Sequence, residues 1–410
     1  MEDRLPFEQL PARKAPALDL LAGVKVLDLT TSIAGPYAGQ LLADMGATVV
    51  KVEKPGVGDD ARAWGPPFLH GESLWFMSVN RGKRSVALDI ALPGGRQVLR
   101  ELIAQSDVLL LNLVARAQRK LELDAASLRP VHPRLIHVSI SGFGLRGSRA
   151  DLPCYDLIAE GYSGVMDLTG EAETPPQKVG TPAADMLAGN DAAMAVLAAL
   201  LRRQRDGQGC EIDISMVESM SRFMAPRLMP YLGSGEISRR TGGRDSVIAV
   251  YQVFETADEP MTLGLGNDAI WKRFWEAVGR PEVARDEAFD TNAKRRAGRA
   301  QIVEQISQVL RTRPRAHWLE LLGPARVPAG PIHRLDELAQ DGALHESGFL
   351  YRAQGPDGDL PQVGLGIRFD GRTEGTAVPP RLGEHTEQVL RDWLGCESAR
   401  LGQLRAERVI

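Results

Sequence analysis

The stretch at residues 24–53 reads VKVLDLTTSIAGPYAGQLLADMGATVVKVE. It begins and ends with an apolar run rich in β-branched residues, and residues 34–47 between the runs have a helical composition. A strand, a helix and a second strand in succession form one βαβ unit. Residues 85–113 repeat this pattern, and residues 135–144 add another buried strand. The sequence therefore predicts an α/β fold in which helices cover both faces of a parallel sheet.

The composition is that of a soluble globular protein. The chain has 410 residues, of which 43% are hydrophobic and 25% are charged, so more than one domain is expected. The formal net charge of −4 argues against a nucleic-acid partner, because such proteins present basic surfaces. The longest apolar run, residues 192–201, is too short to cross a bilayer, so no membrane partner is expected.

The cysteines indicate the cellular compartment. Cys154, Cys210 and Cys396 are odd in number and far apart in the chain. This arrangement suits reduced thiols better than a disulfide framework. We therefore expect a cytoplasmic protein.

Changes in sequence texture predict the domain organisation. Residues 1–22 contain prolines and acidic residues, and they are predicted to form an N-terminal arm. Residues 23–225 carry the strand and helix alternation of a large domain. A glycine-rich, charged stretch near Ser234 leads into a smaller α+β domain, predicted at residues 226–335. Residues 336–410 form a C-terminal segment.

One carboxylate stands at the start of an apolar helix. Residues 180–203 read GTPAADMLAGNDAAMAVLAALLRR, with Thr181 and Pro182 as start signals and Gly207 as a stop signal. In one interpretation, Asp185 only complements the helix macrodipole. In the other, Asp185 lies at an interior site, where the helix N-terminus favours its ionised form and the carboxylate acts as a nucleophile.

Several common chemistries lack their motifs. The sequence has no GxSxG, no HExxH and no CxxC, and its seven histidines have no metal-ligand spacing, so neither a hydrolase nor a metal site is expected. Glu53 ends the second strand where an acidic residue meets the ribose of NAD in Rossmann enzymes. The preceding turn, however, lacks the GxGxxG spacing, which makes a dinucleotide site the weaker reading.

A set of segments resembles the class III CoA-transferase family, also called the carnitine dehydratase and bile-acid-inducible family, which includes formyl-CoA transferase and α-methylacyl-CoA racemase. The segments are VLDLTTSIAGPYAGQLLADMGATVVKVEKPGVGDDAR, SVNRGKRSVALDI, HPRLIHVSISGFG, YDLIAEGYSGVMDLTG, GTPAADMLAG, GCEIDISMVESM and PPRLGEHTEQVL. The resemblance implies a Rossmann-like large domain built from both ends of the chain, a small central domain and an interlocked ring homodimer. It also implies acyl-CoA and a small carboxylic acid as substrates, with no permanently bound cofactor.

The same resemblance assigns roles to individual residues. Asp185 lies where the transferases carry their nucleophilic aspartate. The implied substrate pocket consists of Ile33, Tyr155, Gly264, Gly266 and Asn267, the last three in a glycine-rich loop, TLGLGND, expected to act as a lid. The implied CoA path, with its thiol end near Thr31, Ile33 and Ala34, is lined by Thr31, Ala34, Lys54, Leu88, Asn112, Leu113, Lys120, Leu121 and Met216.

Three functions remain open from the sequence. A CoA-transferase that works through an aspartyl anhydride is favoured over a racemase, because Tyr155 and Asn267 stand where the racemase branch carries histidine and glutamate. Residues 112–116 read NLVAR where the family motif is NFRPG or NFKPG. A non-catalytic acyl-CoA-binding protein is therefore the third reading. Ile33 replaces a polar residue of formyl-CoA transferase, which argues against formate and oxalate as acids.

Overall fold

The computed structural model describes residues 5–410, so residues 1–4 of the predicted arm lie outside the described part. The chain forms two compact units, here called the large unit and the small unit. The large unit comprises the residues up to Val165, Lys178–Ser234 and Ala339–Ile410, and the small unit comprises Met166–Gln177 and Gly235–Leu338. Sequence composition predicted the boundaries of the small domain at residues 226 and 335. It gave no signal that Met166–Gln177 also belongs to the small unit.

The strands fall into one large sheet, one small sheet and two hairpins. They are β1 (Lys25–Asp28), β2 (Thr48–Glu53), β3 (Phe68–Leu69), β4 (Glu72–Ser73), β5 (Arg84–Ala87), β6 (Val108–Leu111), β7 (Ile136–Ser141), β8 (Glu211–Ser215), β9 (Tyr251–Phe254), β10 (Met261–Gly264), β11 (Ala329–Pro331), β12 (Leu350–Gly355) and β13 (Gly358–Val363).

Helices occupy the connections between these strands and the C-terminal end of the chain. They are α1 (Ala34–Asp44), α2 (Leu74–Ser78), α3 (Pro93–Ala104), α4 (Ala115–Lys120), α5 (Ala125–Leu128), α6 (Asp156–Ser163), α7 (Val165–Leu168), α8 (Ala183–Asp206), α9 (Met216–Phe223), α10 (Ala225–Ser234), α11 (Asp268–Ala277), α12 (Pro281–Ala284), α13 (Asn292–Ala297), α14 (Arg299–Leu310), α15 (Arg315–Leu322), α16 (Leu335–Ala339), α17 (Gly342–Glu346), α18 (Thr386–Leu394) and α19 (Ser398–Ala406). Short 3-10 helices span Pro6–Gln9, Asp60–Ala63 and Glu287–Phe289.

The large unit is built on a six-stranded parallel sheet. Its strand order is β5-β2-β1-β6-β7-β8, and every neighbouring pair in it is parallel. The predicted α/β class is therefore confirmed. The order is that of a Rossmann-like sheet, and it reverses between β1 and β6. In sheets of this kind the crevice at the reversal, beyond the carboxyl ends of the strands, is where ligands bind.

The two faces of the sheet carry different helices. Leu27 of β1 packs in one cluster with Leu99 of α3, Leu390 of α18 and Leu401 of α19. The next residue, Asp28, points to the opposite face because side chains alternate along a strand, and it meets α1 at Gly39. Both ends of the chain thus contribute to the large unit, since α18 and α19 complete the core under β1.

Helix α8 is the longest helix of the described chain. It begins at Ala183 after an N-cap at Pro182, without the side-chain cap that Thr181 was expected to provide, and it ends at Gly207, whose φ is 72°. The stop signal at Gly207 is therefore confirmed. It has 24 residues and a mean hydropathy of 1.4 over an 18-residue window, which also meets the length and composition of a membrane-spanning helix. The shorter run at residues 192–201 did not suggest this. Close packing against α1 explains this composition as that of a core helix.

The N-terminal residues from Leu5 onward lie on the large unit. Arg13 forms an ion pair with the fully buried Glu374 at 2.6 Å, and the side chain of Leu18 is buried. The backbone of Ala12 bridges to Arg352 in β12. These contacts bind the beginning of the chain to its C-terminal segment.

The small unit has its own core. Strands β9, β10 and β11 form an antiparallel sheet. Its buried side chains pack with Trp271, Phe274 and Trp275 of α11 and with Ile306 of α14. Aromatic residues at three positions of one helix contribute large buried apolar side chains to this small core.

Candidate active site

The predicted CoA-binding residues follow the carboxyl ends of neighbouring parallel strands. Residues 31–34 follow β1, Lys54 follows β2, Leu88 follows β5, residues 112–113 follow β6 and Met216 follows β8. Parallel strands end at one edge of the sheet, so these positions share that edge. This is the edge at which the strand order reverses, between β1 and β6.

Thr31 and Asn112 are joined directly across the reversal point. The Asn112 side chain accepts a hydrogen bond from the Thr31 amide at 3.1 Å and donates one to the Thr31 carbonyl at 2.8 Å. The Asn112 amide thus pairs with the Thr31 backbone as a neighbouring strand would, and it links the end of β6 to the end of β1. Asn112 is the first residue of the NLVAR departure, whose Val114 becomes the N-cap of α4.

Buried charges hold the loop at residues 30–34, here called the β1–α1 loop. The Lys51 ammonium donates to the Thr30 carbonyl at 2.6 Å and pairs with Asp59 at 2.8 Å, and both side chains are fully buried. Asp59 in turn accepts a hydrogen bond from the Ser32 amide at 2.9 Å. Ser32 has a φ of 68°, a left-handed conformation that is unfavourable for a residue with a Cβ. The buried pair therefore maintains a strained turn.

A second buried pair supports the start of α1. Lys83 donates to Asp28 at 2.9 Å and to the Pro36 carbonyl at 2.7 Å. Burial lowers the pKa of Lys83 to about 8, even though the Asp28 carboxylate opposes that change. Gly39 is required beside this pair, because a Cβ there would lie 2.9 Å from the Asp28 carboxylate.

Packing between α1 and α8 brings Asp185 to the β1–α1 loop. A Cβ on Gly189 would lie 2.7 Å from the Ala34 carbonyl oxygen, so the two helices are in backbone contact at this point. Arg203, near the end of α8, binds Asp107 at the amino end of β6. Both helices therefore run from the carboxyl edge of the sheet to its amino edge. Asp185, one turn before Gly189 on the same helix face, lies at the level of the β1–α1 loop.

The environment of Asp185 raises its pKa to about 7, through burial first and the neighbouring Asp156 carboxylate second. The expectation that the helix N-terminus favours the ionised form is therefore wrong. Asp156 accepts hydrogen bonds from the amides of Ala184 at 2.8 Å and Asp185 at 3.2 Å. It thus satisfies the free amides of the first turn of α8, and its negative charge opposes ionisation of Asp185.

Two more titratable groups lie close to Asp185 and Asp156. The Glu160 side chain is fully buried, accepts a hydrogen bond from the Val179 amide at 2.9 Å and has its pKa raised by burial and by Asp156. Burial and the charge of Asp185 raise the pKa of the Cys154 thiol to about 11. The start of α8 is thus a region where negative charge is disfavoured.

The remaining predicted residues of the large unit differ in exposure. Ile33 is the N-cap residue of α1 and is buried. Tyr155 precedes α6, next to Asp156, and is 67% exposed. Lys54 and Lys120 are exposed, and Leu113 and Leu121 are partly buried. Leu88 is buried with Leu27 in the core under the sheet, and Met216 is also buried. The side chains of Leu88 and Met216 therefore support the carboxyl edge of the sheet from inside and do not line the predicted CoA path.

Three predicted pocket residues belong to the small unit. Gly264 is the last residue of β10 rather than part of a loop, and a Cβ there would lie 3.0 Å from the Tyr251 ring. Gly264 and Tyr251 line a cavity of about 570 Å³. Gly266 is exposed, and the Asn267 side chain caps α11 by accepting from the Ile270 amide at 2.9 Å. Gly266 therefore has open space around it, whereas Gly264 is packed against Tyr251.

Sequence reasoning missed the charged residues around the site. Asp28 and Lys51 interrupt apolar strand runs, and such interruptions were the available signal for a buried ion pair. Asp156 and Glu160 had no comparable signal, because acidic residues on a short helix normally indicate a solvated face. Only the fold brings Asp156 to the first turn of α8.

Comparisons with known proteins agree with this architecture. The family model described as CoA-transferase family III matches residues 21–386. A succinate–glutarate CoA-transferase of Agrobacterium fabrum is 38% identical, over 93% of this chain and 97% of its own length. A succinyl-CoA:glutarate CoA-transferase of Mus musculus is 33% identical, over 98% and 92%. A crystal structure of a CaiB/BaiF family protein from Brucella suis superposes with a TM-score of 0.80 at 36% identity, over 93% of this chain and 100% of that chain. The chain therefore belongs to CoA-transferase family III, and it is an enzyme of CoA transfer whose substrates are CoA thioesters.

Proposed function

We propose that this enzyme transfers CoA from an acyl-CoA to a dicarboxylic acid through covalent intermediates on Asp185. The observation that carries the proposal is the partly buried Asp185 carboxyl, at the level of the β1–α1 loop and with its pKa raised to about 7. A carboxylate of higher pKa is a stronger nucleophile once ionised, and about half of the groups are ionised at neutral pH.

Each step of the exchange conserves the activated acyl bond. The Asp185 carboxylate attacks the thioester carbonyl, the C–S bond breaks and CoA leaves as a thiolate, which gives a mixed anhydride. The thiolate attacks the Asp185 carbonyl, the donor acid leaves as its carboxylate and an aspartyl-CoA thioester remains. The acceptor carboxylate then displaces CoA to form a second anhydride. CoA attacks the acceptor carbonyl, which releases the product thioester and restores the Asp185 carboxylate.

Water must be kept from these intermediates, because hydrolysis of either anhydride or thioester would waste the activated bond. The buried ion pairs under the β1–α1 loop favour this chemistry, since they hold the loop with side chains that are themselves closed to solvent. We place the thiol end of CoA along Thr31 and Ala34. Its phosphates are assigned to the exposed ammonium groups of Lys54 and Lys120, which bind oxyanions as point charges.

The names of the relatives favour a dicarboxylic acceptor. Glutarate, mesaconate and D-citramalate appear in the names of CoA-transferases that are 32–38% identical to this chain. All three acids carry a second carboxylate beyond the one that reacts. We assign the choice of acid to the surroundings of Ile33 and Tyr155.

We further propose a homodimer that works in the cytoplasm. Helix α10 exposes Leu228, Met229, Tyr231 and Leu232, with Met229 66% and Leu232 65% exposed. An apolar surface of this kind is typical of a subunit interface. All three cysteines are free, which suits a reducing compartment. Sedimentation equilibrium tests the dimer, and a mass of one chain at micromolar concentration would contradict it.

The mechanism is tested by removing the nucleophile. We expect D185A to lose CoA exchange by at least about 10³-fold, while its circular dichroism stays that of the wild type. Hydroxylamine should trap an activated acyl group on wild-type protein incubated with acyl-CoA and none on D185A. Full exchange by D185A would refute the mechanism. Deuterium wash-in at the α-carbon without CoA exchange would instead select the racemase reading.

The acceptor is tested by one labelled acyl-CoA with a panel of acids. The proposal expects C4 and C5 dicarboxylates to exceed their monocarboxylate analogues of equal length in kcat/KM. Equal values for the two sets would refute the dicarboxylate assignment and leave the Asp185 mechanism intact.

A further inference from the structure

Glu160 is a buried acid to which the CoA-transfer steps assign no role. Its side chain has no solvent exposure, and one of its oxygens, Oε2, accepts the Val179 amide at 2.9 Å. The other oxygen, Oε1, is buried and has no hydrogen-bond partner among the described residues. An unpaired buried carboxylate oxygen is costly, so this group calls for an explanation.

The groups that face Glu160 are themselves charged. Asp156 stands one turn before Glu160 on the same face of α6, and its carboxyl helps to raise the pKa of Glu160, which Lys178 opposes more weakly. Two ionised carboxylates at such a separation repel each other, whereas one shared proton turns the repulsion into a hydrogen bond. Burial favours the proton on Glu160 because Glu160 is the more enclosed of the two, while Asp156 has two backbone amides to stabilise its charge.

We propose that Glu160 is a positioning residue: it stays protonated and donates a hydrogen bond to Asp156, which fixes that carboxylate against the first turn of α8, at Asp185. The predicted effect of Glu160 on kinetics rests on the proposed function, whereas its protonation state and its hydrogen bond to Asp156 do not. Glu160 touches no substrate in this scheme. It also binds the Val179 amide, so one side chain connects α6 to the segment that enters α8.

The charge that Asp156 places beside Asp185 has a direct effect on the nucleophile. The groups that act on Asp185 are Asp156, which opposes its ionisation, and burial. The Cys154 thiol lies within the reach of the Asp185 charge but is neutral. If Asp156 could turn away, Asp185 would ionise at lower pH and become a weaker nucleophile. Glu160 therefore sets nucleophile strength by holding Asp156 in place.

The protonation state is tested without any assay of activity. Infrared difference spectra of the full-length protein labelled with ¹³C-glutamate should show the carbonyl stretch of a protonated carboxylic acid at pH 7. We expect E160Q to lack this band and D156N to shift it, because the acceptor changes from a carboxylate to an amide. A band that persists in E160Q, or no band in the wild type, would overturn the proposal.

The positioning role is tested by a kinetic series. Glutamine keeps a donor for Asp156, so E160Q should retain kcat within about threefold and leave the acid limb of the kcat/KM–pH profile in place. E160L removes the donor, so it should lower kcat by about 10–100-fold with little change in the KM for acyl-CoA. Its acid limb should move to lower pH, as should that of D156N.

A merely structural role for Glu160 would lower the melting temperature of E160L without moving the acid limb, and that outcome overturns the proposal. If E160L fails to fold, the comparison of E160Q with D156N tests the positioning role. Both variants keep the side-chain oxygen that accepts hydrogen bonds from the backbone amides. Glu397, an exposed glutamate before α19, provides the control E397L, which should match the wild type. Failure of D185A to lose activity would refute the proposed mechanism but leave the infrared result untouched.

Discussion

Two groups of charged side chains in the large unit follow opposite rules. Under the β1–α1 loop, Lys51 pairs with Asp59 and Lys83 pairs with Asp28, so every buried charge has an opposite partner. At the start of α8, the like charge of Asp156 opposes ionisation of both Asp185 and Glu160, and Lys178 attracts Glu160 more weakly. The first arrangement stabilises one geometry. The second leaves a carboxyl that exchanges its proton near neutral pH, which a nucleophile requires and a structural acid does not.

The largest predicted effect on stability comes from breaking the paired group. K51M leaves Asp59 buried without its cation, so we expect the free energy of unfolding to fall by about 3–5 kcal/mol in urea denaturation. Arg100 and Glu122 form an exposed pair at 2.6 Å, and R100A should cost less than about 1 kcal/mol. Similar losses of unfolding free energy in K51M and R100A would mean that the buried pair stabilises the fold no more than the exposed pair does.

For the carboxyls at the start of α8, removal of a charge is predicted to stabilise the fold instead of destabilising it. The pKa of Asp185 is about 7 in the folded protein against an ordinary 3.8, so the folded state favours the protonated form. This stabilisation is fully present below pH 4 and is lost as the pH rises to about 7. D185N does not titrate, and at pH 8 it should therefore be more stable than the wild type by roughly 2–4 kcal/mol.

Melting temperatures of D185N and the wild type across pH 4–8 check this prediction. The two curves should meet near pH 4 and separate as the pH rises. A wild-type advantage at pH 8 would show that Asp185 is stabilised as an anion, and the contrast between the two groups of charges would disappear.

A smaller effect is expected where the two regions touch. G189A inserts a Cβ 2.7 Å from the Ala34 carbonyl, which separates α8 from the β1–α1 loop at a cost of about 1–3 kcal/mol. We expect kcat/KM to fall by about 10–100-fold, because Asp185 shifts relative to the acyl group. Gly402 in α19 has open space around it, so G402A should leave activity unchanged. Wild-type kinetics in G189A would show that this contact does not position Asp185.

The fold was largely readable from local patterns. The strands at β1, β2, β5, β6 and β7 are apolar runs, and the glycine at 207 ends α8 as a left-handed cap. These features depend on neighbouring residues alone, so a single sequence reveals them. The excursion at Met166–Gln177 and the short strand β11 depend on tertiary pairing, which has no local signal.

The sequence predicted which residues belong to the candidate site, but it did not predict the pKa values of the acidic groups there. Thr31 and Asn112 were expected at one site and are hydrogen-bonded to each other. The acidity of Asp185 was predicted with the wrong sign, because the helix N-terminus was considered without the group that satisfies its amides. Asp156, 29 residues earlier in the chain, supplies that group. A pKa depends on all neighbours in space, which a linear sequence does not give.

The thiol of Cys154 acquires a further meaning from this setting. With a pKa of about 11, only about one molecule in ten thousand carries the thiolate at neutral pH. In the proposed mechanism, a thiolate near the Asp185 anhydride would capture the acyl group as a protein thioester and arrest turnover. The same environment that raises the pKa of the Asp185 carboxyl therefore keeps the neighbouring thiol protonated, and in the proposed mechanism this prevents the thiol from competing for the acyl group.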